Sequence, residues 1–155
     1  MYGSSRYSIF TKSPLTGLFG EASSGGKVAP ALHWTGYDAI ILEGASDKPV
    51  YLEISDEQVS FHDADKLWGK DTYTTEDTVL AEVGVPNAQA VVIGPVGENL
   101  IRFACVENKY WRSAGRSGVG AVMGLKKVKA LVFHGKSKTE PVHPELISLF
   151  LSTPW

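Results

Sequence analysis

The sequence predicts an α+β domain of two similar halves, each mostly antiparallel β-sheet with short helices, related by a pseudo-two-fold axis. Three observations carry that expectation. Sixteen glycines and eight prolines cut the 155 residues into short periodic runs. Most of those runs are β-branched or alternate apolar with polar residues, as half-buried strands do. A serine/glycine-rich turn, a helical stretch, a glycine stop and an apolar strand closed by glycine occur twice, as SSGG-KVAPALHWTG-YDAIILEG and AGRSG-VGAVMG-LKKVKALVFHG. A duplication would set two like glycine-rich loops face to face; two unrelated αβ hairpins are the plainer alternative.

Taken in order, RYSIFTK (6–12) reads as a strand ended by Ser13-Pro14 and Gly17. Ser23 or Ser24 is the expected N-cap of a helix VAPALHW stopped by Gly36, although Pro30 weakens that helix. Residues 37–43 form an apolar run between glycines, the pattern of a buried strand. Residues 49–54 and 58–63 alternate around the turn Ser55-Asp56-Glu57 and predict a hairpin with one wet face. Residues 74–83 read as a helix with a threonine N-cap and acids in its first turn. Strands are expected at 89–93, 99–105 and 128–133, with Gly94-Pro95-Val96-Gly97 as a turn and VGAVMG as a helix. The apolar tail ELISLFLSTPW lacks a partner, so it is expected to lead into further chain or dock on something absent.

Composition excludes several classes. With 43% hydrophobic and 21% charged residues the chain can build a core and is not a disordered tail. No 18-residue apolar stretch exists to span a bilayer, and the N-terminus lacks the pattern of a secretory signal. A net charge of −2 argues against a nucleic-acid coat. One cysteine, Cys105, excludes an internal disulfide, a thiolate zinc site and a cysteine-held iron–sulfur cluster within this chain. A reducing cytoplasm is the simplest setting.

The strongest local signal is WRSAGRSGVGAVMG, residues 111–124. Gly115, Gly118 and Gly120 permit a tight turn and close approach of backbone to a ligand. Arg112 and Arg116 flank it with forked donors matched to phosphate oxygens, and the following helix start adds free amides. The pattern reads as an anion site; a glycine-rich turn with surface arginines is the bland alternative. It is not a Walker A loop, since GxxxxGK[ST] is absent. The first copy, GEASSGG, offers a similar loop with Ser23, Ser24 and Gly25, and Arg6 on the preceding strand is within reach of it. Two anion loops suit a ligand with two phosphates.

Other residues carry less. His33, His62, His134 and His143 show no metal-binding spacing. Asp63 and Asp65 suit a turn, Glu76 and Asp77 a helix's first turn, Cys105 an apolar strand, and KKVK (126–129) a solvated strand edge. No nucleophile–base pair is visible. By its own residues, the chain holds something and does not transform it.

RYSIFTKSPLTG, SSGG, GYDAIILEG with KPVYLEI, IGPVGEN and RSAGRSGVGAVMG with KKVKAL, running in order from Arg6 to Gly135, resemble the N-terminal domain of the tungsten-containing aldehyde ferredoxin oxidoreductases. RSAGRSGVGAVMG is the most specific of these. The resemblance implies an α+β module of two similar halves forming a base under a tungsten or molybdenum bis-pterin cofactor. It implies that Arg6, Ser23, Gly25, Arg112, Ser113, Gly115 and Arg116 contact that cofactor. Ser23 and, through its carbonyl, Ser113 would hold a Mg²⁺ bridging two phosphates; Ser23 stands where the family commonly has asparagine. Residues 1–140 would be this domain, incomplete at its N-terminus, and 141–155 the start of a missing downstream segment. The 4Fe–4S cluster and the substrate pocket would lie in downstream domains or a companion subunit, with ferredoxin as electron acceptor. Alone, the fragment would not oxidise aldehydes. The alternative is a non-catalytic phosphate-ligand binding module that keeps the fold, or a degenerate gene fragment.

Overall fold

The computed structural model describes residues 5–137 and 142–152. The expected domain boundary at 140/141 and the end of the apolar tail, 153–155, lie outside the described residues. The fold is α+β. In chain order the elements are β1 Arg6–Lys12, β2 Phe19–Gly25, α1 Val28–Trp34, β3 Val50–Ile54, β4 Val59–Asp63, α2 Thr72–Val83, β5 Gln89–Val92, α3 Pro95–Glu98, β6 Val106–Asn108, β7 Arg112–Ala114, α4 Val119–Leu125, β8 Val128–Phe133 and α5 Pro144–Ser152.

Two sheets form: a β1–β2 hairpin, and a six-stranded sheet in the order β4-β3-β8-β5-β6-β7. Only β3 and β8 run parallel; the other described pairs are antiparallel. Strands β5 and β8 are largely apolar, Gln89 and Lys129 excepted, because both faces of the large sheet are covered. Alternate residues serve opposite cores. Val91, Leu52 and Ile54 meet Val28 and Ala31 of α1 and Val119 and Met123 of α4. Tyr51, Ala90, Val92, Ala130 and Val132 meet Val79 of α2 and Leu67 on the other side. The β1–β2 hairpin joins the first of these cores through Tyr7, Ile9 and Ala22.

Several elements differ from expectation for physical reasons. Residues 19–25 form a strand although they read as a loop, because β2 turns small Gly20, Ala22 and Ser24 inward. There a β-carbon on Gly20 would lie 2.7 Å from that of Ser117. Ser23 and Ser24 therefore do not cap α1, whose N-cap is Lys27 without a side-chain bond. Pro30 sits in the first turn of α1, where its missing N–H has no partner to lose. Asp71, not a threonine, caps α2 by accepting from the Thr74 amide at 2.8 Å. Residues 99–105 pair with no strand among the described residues; the β6–β7 hairpin comes after them instead. Residues 37–43 keep a strand's alternating burial at 39–43 but join neither sheet. The second copy of the repeat is thus complete (loop, α4, β8), and the first ends in α1 and an unpaired segment.

The KKVK run is not a solvated edge. Lys129 is fully buried, its ammonium bonded to the Glu98 carboxylate and, at 2.8 Å, to the Lys70 carbonyl. Lys126 and Lys127 reach the Gly44 and Asp47 carbonyls, each at 2.7 Å, and fasten the 44–47 turn.

Candidate functional site

The hairpin's antiparallel register places Arg6 opposite Gly25 and Ser8 opposite Ser23. Opposed residues of such a pair share a face. On that exposed face, where Gly25 has no side chain, a β-carbon would stand 3.3 Å from Arg112 Nη1. The next residue, Gly26, carries a positive φ of 107°, and a β-carbon there would stand 2.8 Å from Arg112 Cδ. Glycine at 25 and 26 thus gives Arg112 of β7 a path across the end of β2, with Arg6 flanking the same surface. The two glycine-rich loops come together, as the repeat anticipates.

Residues 112–118 lie along β2. The Ser117 hydroxyl donates to the Glu21 carbonyl at 3.2 Å, which brings the loop carrying Arg116 against the middle of β2. Arg6, Arg112 and Arg116 make no ion pair and no side-chain hydrogen bond among the described residues. The backbone N–H groups of Arg116, Ser117 and Gly118 also bond to nothing there. Gly115 is exposed. Gly118 has a φ of 68° and Gly120 lies in the first turn of α4, but their closeness serves the chain itself: added β-carbons would collide with the Arg102 and Cys105 carbonyls. Those two glycines explain packing, not ligand approach.

Both serines proposed as magnesium contacts are engaged through their hydroxyls. Ser23 Oγ lies 2.7 Å from Ser8 Oγ and 3.1 Å from Glu21 Oε1, which also accepts from Ser8 at 3.0 Å. The Ser113 hydroxyl donates to Glu107 Oε2 at 2.7 Å. Among the described residues no group of three His, Cys, Asp or Glu side chains could by itself hold a metal ion.

The surrounding scaffold is where sequence reading fell short. Asn108 is fully buried; its Oδ1 accepts from Tyr7 (3.0 Å) and Ser24 (3.2 Å), and its Nδ2 donates to the Gly25 carbonyl at 3.2 Å. One amide thus ties β1, β2 and β6 together. Burial pushes the Tyr7 hydroxyl up to about 12. Lys109 and Tyr110 both adopt positive φ, 48° and 61°, and bend the chain towards Arg112. Glu76 of α2 holds that bend, accepting from the two amides at 2.8 and 3.3 Å. Helix-dipole complementarity therefore does not describe Glu76, a buried carboxyl whose pKa burial raises despite those two bonds. Asp77 accepts from the Tyr110 hydroxyl. Cys105 is half-buried outside any strand, and burial, then Glu107, pushes its thiol up. The only sequence sign of this scaffold is the Asn-Lys-Tyr turn.

Two histidines far apart in sequence also meet: Glu53 bonds His62 Nε2 at 2.9 Å and His134 Nε2 at 2.7 Å. Burial would raise the Glu53 carboxyl, but the two imidazoles outweigh it and hold it below the usual range.

The aldehyde ferredoxin oxidoreductase N-terminal domain family matches residues 1–135. Tungsten-containing aldehyde ferredoxin oxidoreductases of Pyrococcus furiosus and Pyrococcus abyssi are 50% identical over 137 residues and 52% over 135, covering 88% and 87% of this chain. The aliphatic sulfonate oxidoreductase WOR-like subunit of Pyrococcus furiosus is 37% identical over 92% of the chain and 25% of its own length. The active-site complex BamBC of benzoyl coenzyme A reductase, solved with 1,5-dienoyl-CoA, superposes with a TM-score of 0.84 at 40% identity, covering 88% of this chain and 21% of that one. The chain spans 22% of the length of the Pyrococcus aldehyde enzymes it matches. It belongs to the aldehyde ferredoxin oxidoreductase N-terminal domain family.

Proposed function

We propose that this chain is the cofactor-holding module of a tungsten (or molybdenum) bis-pterin oxidoreductase that converts aldehydes to carboxylic acids, with ferredoxin as electron acceptor. The supporting observation is the convergence of Arg6 and Arg112 over Gly25, with the Arg116 loop alongside and none of the three guanidinium groups matched by an acid among the described residues. Unmatched guanidinium groups on a floor without side chains fit phosphate oxygens, each charge-assisted bond being worth about 1.5–3 kcal/mol. Gly25 and Gly115 would leave room for the pterins. Ser23 and the Ser113 carbonyl would hold the bridging Mg²⁺, and the Glu21 carboxylate beside Ser23 favours a cation there.

When bound, the bis-pterin supplies a redox-active metal held by dithiolene sulfurs. This chain binds and orients that group. The 4Fe–4S cluster and the substrate pocket belong to the remaining polypeptide, in cis or as a companion subunit. We read residues 1–140 as the module and 141–155 as the start of the next segment of that polypeptide; a cytoplasmic setting goes with this reading. No helix of the described residues is long and apolar enough to cross a membrane.

The test is metal and pterin analysis of this chain purified together with the rest of a family-length assembly. Tungsten or molybdenum with pterin is the expected result. A folded assembly containing neither defeats the proposal.

A further inference from the structure

We infer that Glu76, which lies outside the candidate anion site, is a positioning residue for it. By gripping the turn before Arg112, Glu76 sets the affinity for phosphate through that one guanidinium. This rests on the reading of Arg112 as a phosphate contact.

The grip falls on an unfavourable piece of backbone. Strands β6 and β7 pair Asn108 with Arg112, so Lys109, Tyr110 and Trp111 make the whole turn. Lys109 and Tyr110 stand at φ of 48° and 61°. Hairpin turns with two successive positive φ are ordinarily built from asparagine, aspartate and glycine. Lysine and tyrosine keep such a conformation only where neighbours hold it. Helix α2 supplies the neighbours. Glu76 accepts from the amides of the two strained residues themselves, Lys109 at 2.8 Å and Tyr110 at 3.3 Å. Asp77 accepts from the Tyr110 hydroxyl, and the Tyr73 ring lies 5.4 Å from that of Tyr110 and 5.6 Å from that of Trp111.

A carboxylate is an odd choice for a merely structural acceptor here. Glu76 is 5% exposed and pairs with no cation among the described residues, and the charges that act on it, Asp77 and Glu107, are both acids. Burying a charge without a counter-charge is costly. What the charge supplies is two strengthened bonds, placed where the backbone must be held.

Arg112 hangs on that turn. Strand β7 is three residues long and lies at the edge of the large sheet, bonded only to β6. Its middle residue, Ser113, is fastened to Glu107 opposite. Arg112 comes directly after the turn, and its guanidinium bonds nothing among the described residues. Its place over Gly25 therefore follows from the backbone that the turn delivers. Turn geometry fixes a hairpin's register, and a slip of one residue would send Arg112 to the opposite face. Arg116 lies beyond β7 in a loop tied to β2 through Ser117, and Arg6 stands on β1. Neither depends on the turn, so the effect of Glu76 is confined to Arg112.

Calorimetric titration of this chain with inorganic pyrophosphate, run as double-mutant cycles, tests this. Glu76→Gln keeps an acceptor for one amide and turns an NH2 group against the other. It should weaken binding at least about fivefold in the wild type and in Arg116→Ala, yet less than about twofold in Arg112→Ala. A merely structural role would lower affinity by the same factor in all three backgrounds, whatever the change in melting temperature. Should Glu76→Gln not fold, Tyr110→Phe carries the same test, since it removes only the bond to Asp77. Its expected loss is at least about twofold wherever Arg112 is present, and none where Arg112 is replaced. Equal losses with and without Arg112, or wild-type affinity in the folded variant, would overturn the inference and leave the phosphate receptor standing. No pyrophosphate binding by the wild type would defeat the receptor and this inference with it.

Discussion

Arg112 crosses Gly26 so closely that a β-carbon on the glycine would lie 2.8 Å from Arg112 Cδ. This contact joins the two halves of the candidate site. Gly26 also sits at a φ of 107°, which side-chain-bearing residues rarely adopt. Gly26→Ala should therefore cost about 1–3 kcal/mol in urea unfolding. Gly25→Ala should cost less, because its φ is ordinary and its neighbour is a movable guanidinium at 3.3 Å. Equal stability of Gly26→Ala and wild type would show that neither the positive φ nor the contact with Arg112 constrains this position.

The fully buried Lys129–Glu98 pair is the strongest electrostatic commitment of the fold. Burial works to lower the Lys129 pKa, and Glu98 opposes it. Lys129→Met strands the carboxylate and should cost about 3–5 kcal/mol. Lys129→Met combined with Glu98→Gln should cost clearly less than the sum of the single changes. A double-mutant cycle that adds without coupling would show the pair to be incidental.

Glu53 gives an acid dependence with a definite sign. Its folded pKa lies below the ordinary 4.5. Its contribution is therefore present above pH 4.5 and is lost as pH falls through the folded value. Stability curves of wild type and Glu53→Gln, measured by denaturant from pH 3 to 7, should converge towards the acid end. Parallel curves would remove Glu53 from acid unfolding.

Asn108 anchors three elements with one amide. Asn108→Ala leaves buried partners at Tyr7, Ser24 and Gly25, each lost bond costing about 1–3 kcal/mol. The variant should melt well below wild type, and Tyr7→Phe, which removes one partner, should cost a fraction of that. A melting temperature within a degree of wild type would contradict this role.

Much of the fold was legible in the residues. The β3–β4 hairpin, α2, β5, α4 and β8 are written in alternation, periodicity and glycine stops. The hidden parts depend on partners distant in sequence. Gly20, Ala22 and Ser24 read as loop because their smallness answers to parts of the fold distant in sequence, Gly20 to Ser117 and Ser24 to Asn108. Lys129 reads as surface because only the fold brings Glu98 to it. Arg112, Arg116 and the glycines of SSGG announced themselves by type. Asn108 and Glu76 are ordinary residues whose importance comes from the buried hydrogen bonds that only the fold gives them.

The central claim is that the two glycine-rich loops form one receptor for paired phosphates. Titration calorimetry of this chain with inorganic pyrophosphate tests it most directly. Arg112 and Arg116 are exposed and unpaired among the described residues, so replacing both by alanine should leave the melting temperature unchanged. It should weaken pyrophosphate binding at least tenfold, from about 1.5–3 kcal/mol per charge-assisted bond. Wild-type affinity in the double variant, or no binding by the wild type, would contradict the account.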